Sequence, residues 1–361
     1  MTHSLAQGFA NPSSSHRWGA KARDEVEVGR AQLAELIGAN ARDLIFTSGA
    51  TEANNLAIFG VARRSETPIH IISQVTEHSA VLEPLQILSQ QGHEVTLLPV
   101  SSTGMIDLDQ LRAALKPHTR LVSLMYANNE TGVKQPIAQI GQLLMNDADP
   151  QCLFHVDAAQ AIGKFTIDLS QLDIDLLSLS AHKFYGPKGI GALFLRRRNS
   201  RRRTLELPPL FFGGSQERGL RPGTTPSHQI VGMGVAALEA MEDLKKGGEQ
   251  RLCDLREYLL EGLRSIDPHI ERRGSPEGAP HVLSVTLSLH VFRQIEERWS
   301  HIAYSRGSAC HSSSGRPSYV LTAMGLSSEQ CSKTLRFGLG RYTTKEEIDH
   351  ALRLLTPQTQ F

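Results

Sequence analysis

At 361 residues the chain can hold more than one hydrophobic core, since a single core seldom grows beyond roughly 250 to 300 residues. A formal net charge of +1, from 38 Lys and Arg against 37 Asp and Glu, excludes the bulk electrostatics of a polyanion-binding protein. The four cysteines, Cys152, Cys253, Cys310 and Cys331, show no CxxC spacing, which argues against a metal site and a disulfide framework and for a reducing, cytoplasmic compartment.

In chain order, residues 1–15 lack the basic and apolar regions of a signal peptide, and no apolar run approaches membrane-spanning length, so no membrane partner is expected. A helix is predicted over about 18–37, with Ala22, Val26, Leu33 and Leu36 or Ile37 on one face and Gly38 as its stop. Short apolar runs at 44–47, 69–73, 95–99, 121–126, 152–156, 175–179 and 191–195 predict strands, most of them separated by helical stretches. That alternation is the pattern of an α/β domain on a mainly parallel sheet. Two long helices are predicted over 226–264, and strands at 282–289, 302–304 and 335–339 suit a smaller α+β unit. The expected division is a large α/β domain over 9–235 and a small α+β domain over 236–361 that also takes residues 1–8.

Open α/β sheets bind ligands at the carboxyl ends of their strands, and the unusual polar clusters of this chain fall there. After 44–47 comes Ser48-Gly49-Ala50-Thr51-Glu52, small residues opening a helix whose free N–H groups and dipole can hold a phosphate; taken alone, an ordinary N-cap is the plainer reading. Thr76-Glu77-His78 follows 69–73, and His78 can stack flat on an aromatic cofactor. Asn128-Asn129-Glu130-Thr131-Gly132 follows 121–126, and Asp157 and Gln160 follow the next run. An acid at the end of an apolar strand is costly to bury without a cation, which a protonated pyridine nitrogen supplies. The stretch 175–191, DLLSLSAHKFYGPKGIG, then brings Ser180, His182 and Lys183 off the end of a buried strand. A partly desolvated lysine there has a depressed pKa and can form a Schiff base with a carbonyl compound or pyridoxal phosphate. For a bare SxHK a surface lysine is the plainer reading, but cradle, histidine, asparagine, aspartate and lysine in this order are the equipment pyridoxal phosphate requires.

Nine motifs in order, NPSSSH, TSGATEANNLAI, TEHSAVLEP, NNETG, HVDAAQAIGK, SAHKFYGPKGIGAL, GGSQERGLRPGT, RGSACHSS and LRFGLGRYTTKEEID, run from about Asn11 to Ile348. On these the chain resembles the cysteine desulfurases of the class V aminotransferase group, the NifS/IscS-like branch of fold type I pyridoxal phosphate enzymes. The resemblance implies a large domain with a mainly parallel seven-stranded sheet, a smaller α+β C-terminal domain carrying the catalytic cysteine loop, and a homodimer. It implies that Lys183 carries the cofactor, that Asp157 pairs with the pyridine nitrogen, that Gln160 bonds the phenolic oxygen and that His78 stacks on the ring. Ala50, Thr51, Ser180 and His182 would hold the phosphate, with Thr224 reaching it from the other subunit. Asn129, beside the cofactor, and Arg336 would receive the substrate carboxylate, Arg336 as a two-pronged fork.

Cys310 sets the chemistry. It lies in 306–315, RGSACHSSSG, rich in small residues and poor in anchors, as expected of a mobile loop. The reaction implied is that L-cysteine joins the cofactor, loses its α-proton to Lys183, and has its C–S bond broken by the Cys310 thiolate, giving L-alanine and a Cys310 persulfide. His78 and His311 are candidates for the thiol proton. The persulfide would pass to an acceptor protein, a scaffold or sulfurtransferase, for iron-sulfur cluster assembly or thiolation. Cys152, Cys253 and Cys331 suit packed positions.

The sequence departs from the family at Arg306, where a small residue is commoner, and near Gly315-Arg316. Relatives also carry an upstream LDxxATTP-like segment that this sequence lacks, so the chain as numbered is expected to fold, bind cofactor and work weakly. The Cys310-His311-Ser312 element is similar to that of selenocysteine lyases, an alternative of the same fold and cofactor. A different class of function is a nucleic-acid or acidic-partner binder using Arg196, Arg197, Arg198, Arg201, Arg202 and Arg203. A solvated turn is the preferred reading of that cluster in a neutral chain.

Overall fold

The seven apolar runs form seven strands, each within two residues of its expected place: β1 (Leu44–Thr47), β2 (His70–Gln74), β3 (Glu94–Leu98), β4 (Thr119–Met125), β5 (Leu153–Asp157), β6 (Leu176–Ser180) and β7 (Gly191–Leu195). The computed structural model describes residues 1–197, 205–296, 304–305 and 317–356. The strands make one sheet in the order β1-β7-β6-β5-β4-β2-β3. Pairing is parallel from β6 through β3 and antiparallel on both sides of β7, so every strand but β7 runs the same way. All residues of β1, β2, β5, β6 and β7 are buried, which is why they read as continuous apolar runs; β3, at an edge, is half-exposed.

The described helices are α1 (Thr2–Gln7), α2 (Arg17–Leu36), α3 (Ala50–Ala62), α4 (Ser79–Gln90), α5 (Leu108–Ala114), α6 (Ile137–Asp147), α7 (Ser227–Lys245), α8 (Gly248–Ile266), α9 (Leu289–Glu296), α10 (Tyr319–Ala323), α11 (Ser328–Ser332) and α12 (Lys345–Leu355). Helix α3 buries Ala53, Leu56, Ala57 and Val61 in one core with Ile45, Ile71, Leu121, Leu153, Leu176 and Leu193 of the sheet. Each of those leucines and isoleucines stabilises the fold by about 2 kcal/mol relative to exposure. Small residues on α3 let it lie close to the strands whose ends it serves.

The chain divides into two compact units, one of Met1–Leu98, Leu108–Tyr126 and Pro136–Leu244, the other of Pro99–Asp107, Ala127–Gln135 and Lys245–Phe361. The expected boundary at 235/236 would cut α7, which is buried continuously through Ile230, Met233, Ala236, Ala237 and Ala240. The division therefore falls near the end of that helix. Residues 1–8, expected with the small domain, belong to the first unit, where Ser4 Oγ donates to the Glu25 carboxylate of α2 (3.1 Å).

The second unit holds a three-stranded antiparallel sheet, β10-β9-β8, of β8 (Glu271–Arg273), β9 (Val282–Thr286) and β10 (Thr334–Gly338). Leu255, Leu259 and Leu263 of α8 pack with Val285, Leu335, Phe337 and Leu355. The run predicted as a strand over 282–289 stops at Thr286 because α9 begins at Leu289. Residues 302 and 303 lie outside the described residues; Ser305 makes a single antiparallel bridge to Arg336.

Candidate active site

Parallel register brings the carboxyl ends of β4, β5 and β6 side by side, with Met125 opposite Asp157 and Asp157 opposite Ser178. Asp157, 6 % exposed, ends β5. Its Oδ2 accepts from Asn54 Nδ2 of α3 (2.8 Å) and its Oδ1 from the Ala159 N–H (2.9 Å), so the carboxylate is held by both oxygens. Sequence reasoning missed Asn54; it stands in the cradle motif TSGATEANNLAI, but nothing local to the sequence names its partner 103 positions away.

Glu77 is a second buried carboxyl near this edge. One oxygen accepts from the Met125 N–H (2.5 Å) and from Gln74 Nε2 (3.0 Å). Burial, reinforced by the nearby Asp157 charge, pushes Glu77 well above the usual carboxylate range. His155, two residues before Asp157 on the same face of β5, bridges Ser123 Oγ (2.8 Å) and Ser178 Oγ (2.9 Å). Burial lowers its pKa to about 3, so it is a neutral staple across β4, β5 and β6.

At the end of β1 the chain turns through Ser48 and Gly49 into α3. Gly49 is the N-cap and supplies no side-chain cap, so the first N–H groups, those of Ala50 and Thr51 among them, are presented at the helix head. Glycine is required beside it. A Cβ on Gly191 of β7 would lie 2.6 Å from Gly49 Cα and 2.5 Å from the Leu179 carbonyl oxygen. Ser180 Oγ is 3.6 Å from where a Cβ on Gly49 would sit, which puts a buried hydroxyl beside the same turn.

Lys183 sits in a short 3-10 turn, Ala181–Phe184, directly after β6, with Ala181 and Phe184 buried and His182 and Lys183 exposed within the chain. The turn closes on Tyr185 at φ 72°, a left-handed conformation uncommon for a residue with a Cβ. Lys164 Nζ lies 4.6 Å from the Tyr185 ring centroid and helps hold it. Burial, with Lys183 and Lys188 nearby, lowers the His182 pKa, so this imidazole is neutral near pH 7. Gln160 is half-buried three residues beyond Asp157.

His78 caps α4, its Nδ1 accepting the Ala80 N–H (3.1 Å). A neutral imidazole capped this way carries its proton on Nε2, so Nε2 is a donor. Asn129 and Arg336 meet in the second unit: Arg336 Nη1 donates to the Asn129 carbonyl (2.6 Å) and Nη2 to Ser305 Oγ (3.1 Å). Burial lowers the Arg336 pKa and the Glu130 carboxylate raises it. Asn128, which sequence reasoning did not assign, organises the Asn129 loop by accepting from Glu130 N–H (2.8 Å) and Thr131 N–H (2.9 Å) through Oδ1.

Cys310 and His311 lie outside the described residues. Cys152 and Cys331 are buried, and burial raises the thiol pKa of Cys253 and Cys331. Thr224 is exposed and lines, with Thr47, Ser48, Arg221 and Gln229, an open pocket of about 200 Å³. Of the basic cluster, Arg196 is consumed structurally. It donates to the carbonyls of Ile174 (2.7 Å), Leu169 (2.7 Å) and Leu172 (2.9 Å) and lies 5.3 Å from the Phe194 ring centroid. Arg197 is exposed, and Arg198, Arg201, Arg202 and Arg203 lie outside the described residues.

The residues present fit pyridoxal phosphate. An uncapped helix head with a serine beside it suits a phosphate, a carboxylate held by both oxygens suits a ring N–H, and a lysine on a pinned turn suits an aldehyde. No described helix is long and apolar enough to cross a membrane.

The aminotransferase class-V family model matches residues 1–351. A cysteine desulfurase IscS of Photorhabdus laumondii subsp. laumondii is 45% identical over 349 residues, covering 96% of this chain and 84% of that protein. One from Klebsiella pneumoniae subsp. pneumoniae is 46% identical over the same shares, 96% and 84%. Among solved structures, a NifS-like protein is similar with a TM-score of 0.88 at 33% identity, covering 98% of this chain and 92% of that one. SspA in complex with cysteine gives 0.80 at 36%, covering 94% of each chain. DndA from Streptomyces lividans gives 0.79 at 38%, covering 93% of this chain and 94% of that one.

Proposed function

Because the chain belongs to the aminotransferase class-V family and is a pyridoxal phosphate-dependent cysteine desulfurase, we propose that its residues divide the conversion of L-cysteine to L-alanine as follows. Pyridoxal phosphate, when bound, supplies an electron sink that makes the substrate Cα–H bond acidic and its C–S bond breakable. Lys183 holds the cofactor and afterwards carries the substrate α-proton on Nζ. Asp157, already oriented by Asn54 and the Ala159 N–H, keeps the ring nitrogen protonated. Burial and the Asp157 charge raise the Glu77 pKa, which disfavours a second negative charge beside it.

Gln160 bonds the phenolic oxygen and His78 covers the ring. With Nδ1 engaged at Ala80, His78 serves the thiol chemistry as a donor from Nε2. The N–H groups at Ala50 and Thr51, with Thr51, Ser180 and His182 side chains, hold the phosphate, and Thr224 of a partner copy completes the grip in a homodimer. Asn129 and Arg336 take the substrate carboxylate. The Cys310 thiolate attacks the substrate sulfur: an S–S bond forms as the C–S bond breaks and leaves its electron pair on the substrate Cβ, which takes up a proton; Lys183 Nζ returns the α-proton to Cα, and alanine leaves. The Cys310 persulfide then passes its outer sulfur to an acceptor protein in the cytoplasm.

The observation that carries this reading is Lys183 on a pinned turn after β6, one strand from an Asp157 whose two oxygens are both held. Cys310→Ser tests the sulfur step. It should retain bound cofactor and form no protein persulfide with L-cysteine; alanine released at the parent rate from that variant would exclude Cys310 as the nucleophile.

A further inference from the structure

Strand β1 ends the sheet, and side chains take the place of a neighbouring strand on its outer edge. The Phe46 N–H donates to Glu217 Oε2 (2.8 Å), and the Leu44 carbonyl accepts from Arg30 Nη1 (3.0 Å). Arg30 and Glu217 also bind each other twice, Nη1 to Oε2 (2.9 Å) and Nη2 to Oε1 (2.7 Å), with side chains only 11% and 6% exposed. Glu217 and the next residue, Arg218, both have positive φ, 46° and 59°, a conformation that residues with a Cβ disfavour and that must be held from outside. Arg218 adds a hydrogen bond to the Arg42 carbonyl.

Four residues after Glu217 the same loop is tied again. Arg221 Nε donates to Glu52 Oε1 (2.9 Å), and the other oxygen of Glu52 accepts the Ser48 N–H (2.8 Å). Glu52 lies in the first turn of α3 and Ser48 immediately precedes Gly49, so this pair is attached to the phosphate cradle itself. The Gly223 N–H donates to Gln216 Oε1 (3.0 Å), closing the loop on itself just before Thr224. Only Pro222 and Gly223 separate Arg221 from Thr224; proline fixes its own φ and the Gly223 N–H is held by Gln216, so the position of Arg221 bears on that of Thr224.

We propose that the Glu52–Arg221 pair, backed by Arg30–Glu217, is a positioning device that sets Thr224 for the cofactor phosphate, so that the grip on the cofactor depends on residues that never touch it. The inference rests on the reading above that Thr224 reaches that phosphate from a partner copy. Arg221 and Glu52 are positioning residues, acting through Thr224.

The test is the rate of cofactor release from the holoenzyme, followed by loss of protein-bound cofactor absorbance, in Thr224→Ala, Arg221→Ala and the double variant. Each single change should speed release about tenfold, the usual scale for a lost hydrogen bond to a charged group. The double variant should release no faster than the faster single, because both act on one contact. Should Arg221→Ala not fold, Glu52→Gln, which keeps an acceptor for Ser48 and removes the charge, should give a smaller increase that vanishes in the Thr224→Ala background. Release at the parent rate from the Arg221 or Glu52 variants, or effects that multiply with Thr224→Ala, overturns the positioning role alone. A parent rate from Thr224→Ala itself removes the assignment of Thr224, and the inference with it.

Discussion

The carboxyl edge of the sheet and the loop 213–225 place functional groups by different means. At the edge, Asp157 and Ser180 end, and Lys183 follows, strands whose every residue is buried, so the core fixes them and short local bonds finish the geometry. In the loop, Thr224 has no strand beneath it; its segment is held by ion pairs to residues 187 and 169 positions away, Arg30 and Glu52, across two residues in left-handed conformations. A group held by the sheet fails only when the core fails. A group held by two ion pairs can be released by one substitution.

The largest expected effect breaks the edge without disturbing the core. Asp157→Asn should keep the strands and much of the bound cofactor, yet lower L-cysteine turnover by about 10² to 10³-fold, the scale for removing one preorganised electrostatic partner. Parent-like turnover, measured as alanine formed per bound cofactor, would show that the held carboxylate is not needed. Next comes the loop. Glu217→Ala strips Phe46 of its acceptor and leaves the largely buried Arg30 with only the exposed Glu27 as ion-pair partner, at a cost of about 3 kcal/mol in urea unfolding. Unchanged stability would mean that the loop is held by something other than this pair.

The smallest effect sharpens the account of the edge. His155 has a folded-state pKa of about 3 against an ordinary 6.5, so the unfolded chain binds the extra proton between those values. Its contribution is complete above pH 6.5 and is lost as pH falls toward 3, by about 1.4 kcal/mol per pH unit. Urea unfolding at a series of pH values should show an acid slope shallower by one proton in His155→Gln. An equal slope in parent and variant would mean that His155 is protonated in the folded sheet.

The same contrast separates what was legible in the sequence from what was not. All seven sheet strands were visible as apolar runs because both faces of the sheet are covered; shifts of one residue at β5 and β6 arose where the strands end on the polar Asp157 and Ser180. Strand β8, Glu271-Arg272-Arg273, carries no apolar signal and was missed, and the strand expected over 282–289 is too long because helix α9 begins at Leu289. The edge residues could be assigned because each follows a strand. Asn54, Glu217 and Arg221 stood in quoted motifs without roles, since a hydrogen bond spanning 103 to 187 positions leaves no mark on local pattern.

Borohydride reduction of the holoenzyme, followed by peptide mass mapping, tests most directly the claim that the end of β6 carries the chemistry. The account predicts that the cofactor is fixed to the peptide containing Lys183 and that Lys183→Ala binds cofactor without any reducible covalent link. A label on Lys164, Lys188 or any other lysine would contradict it.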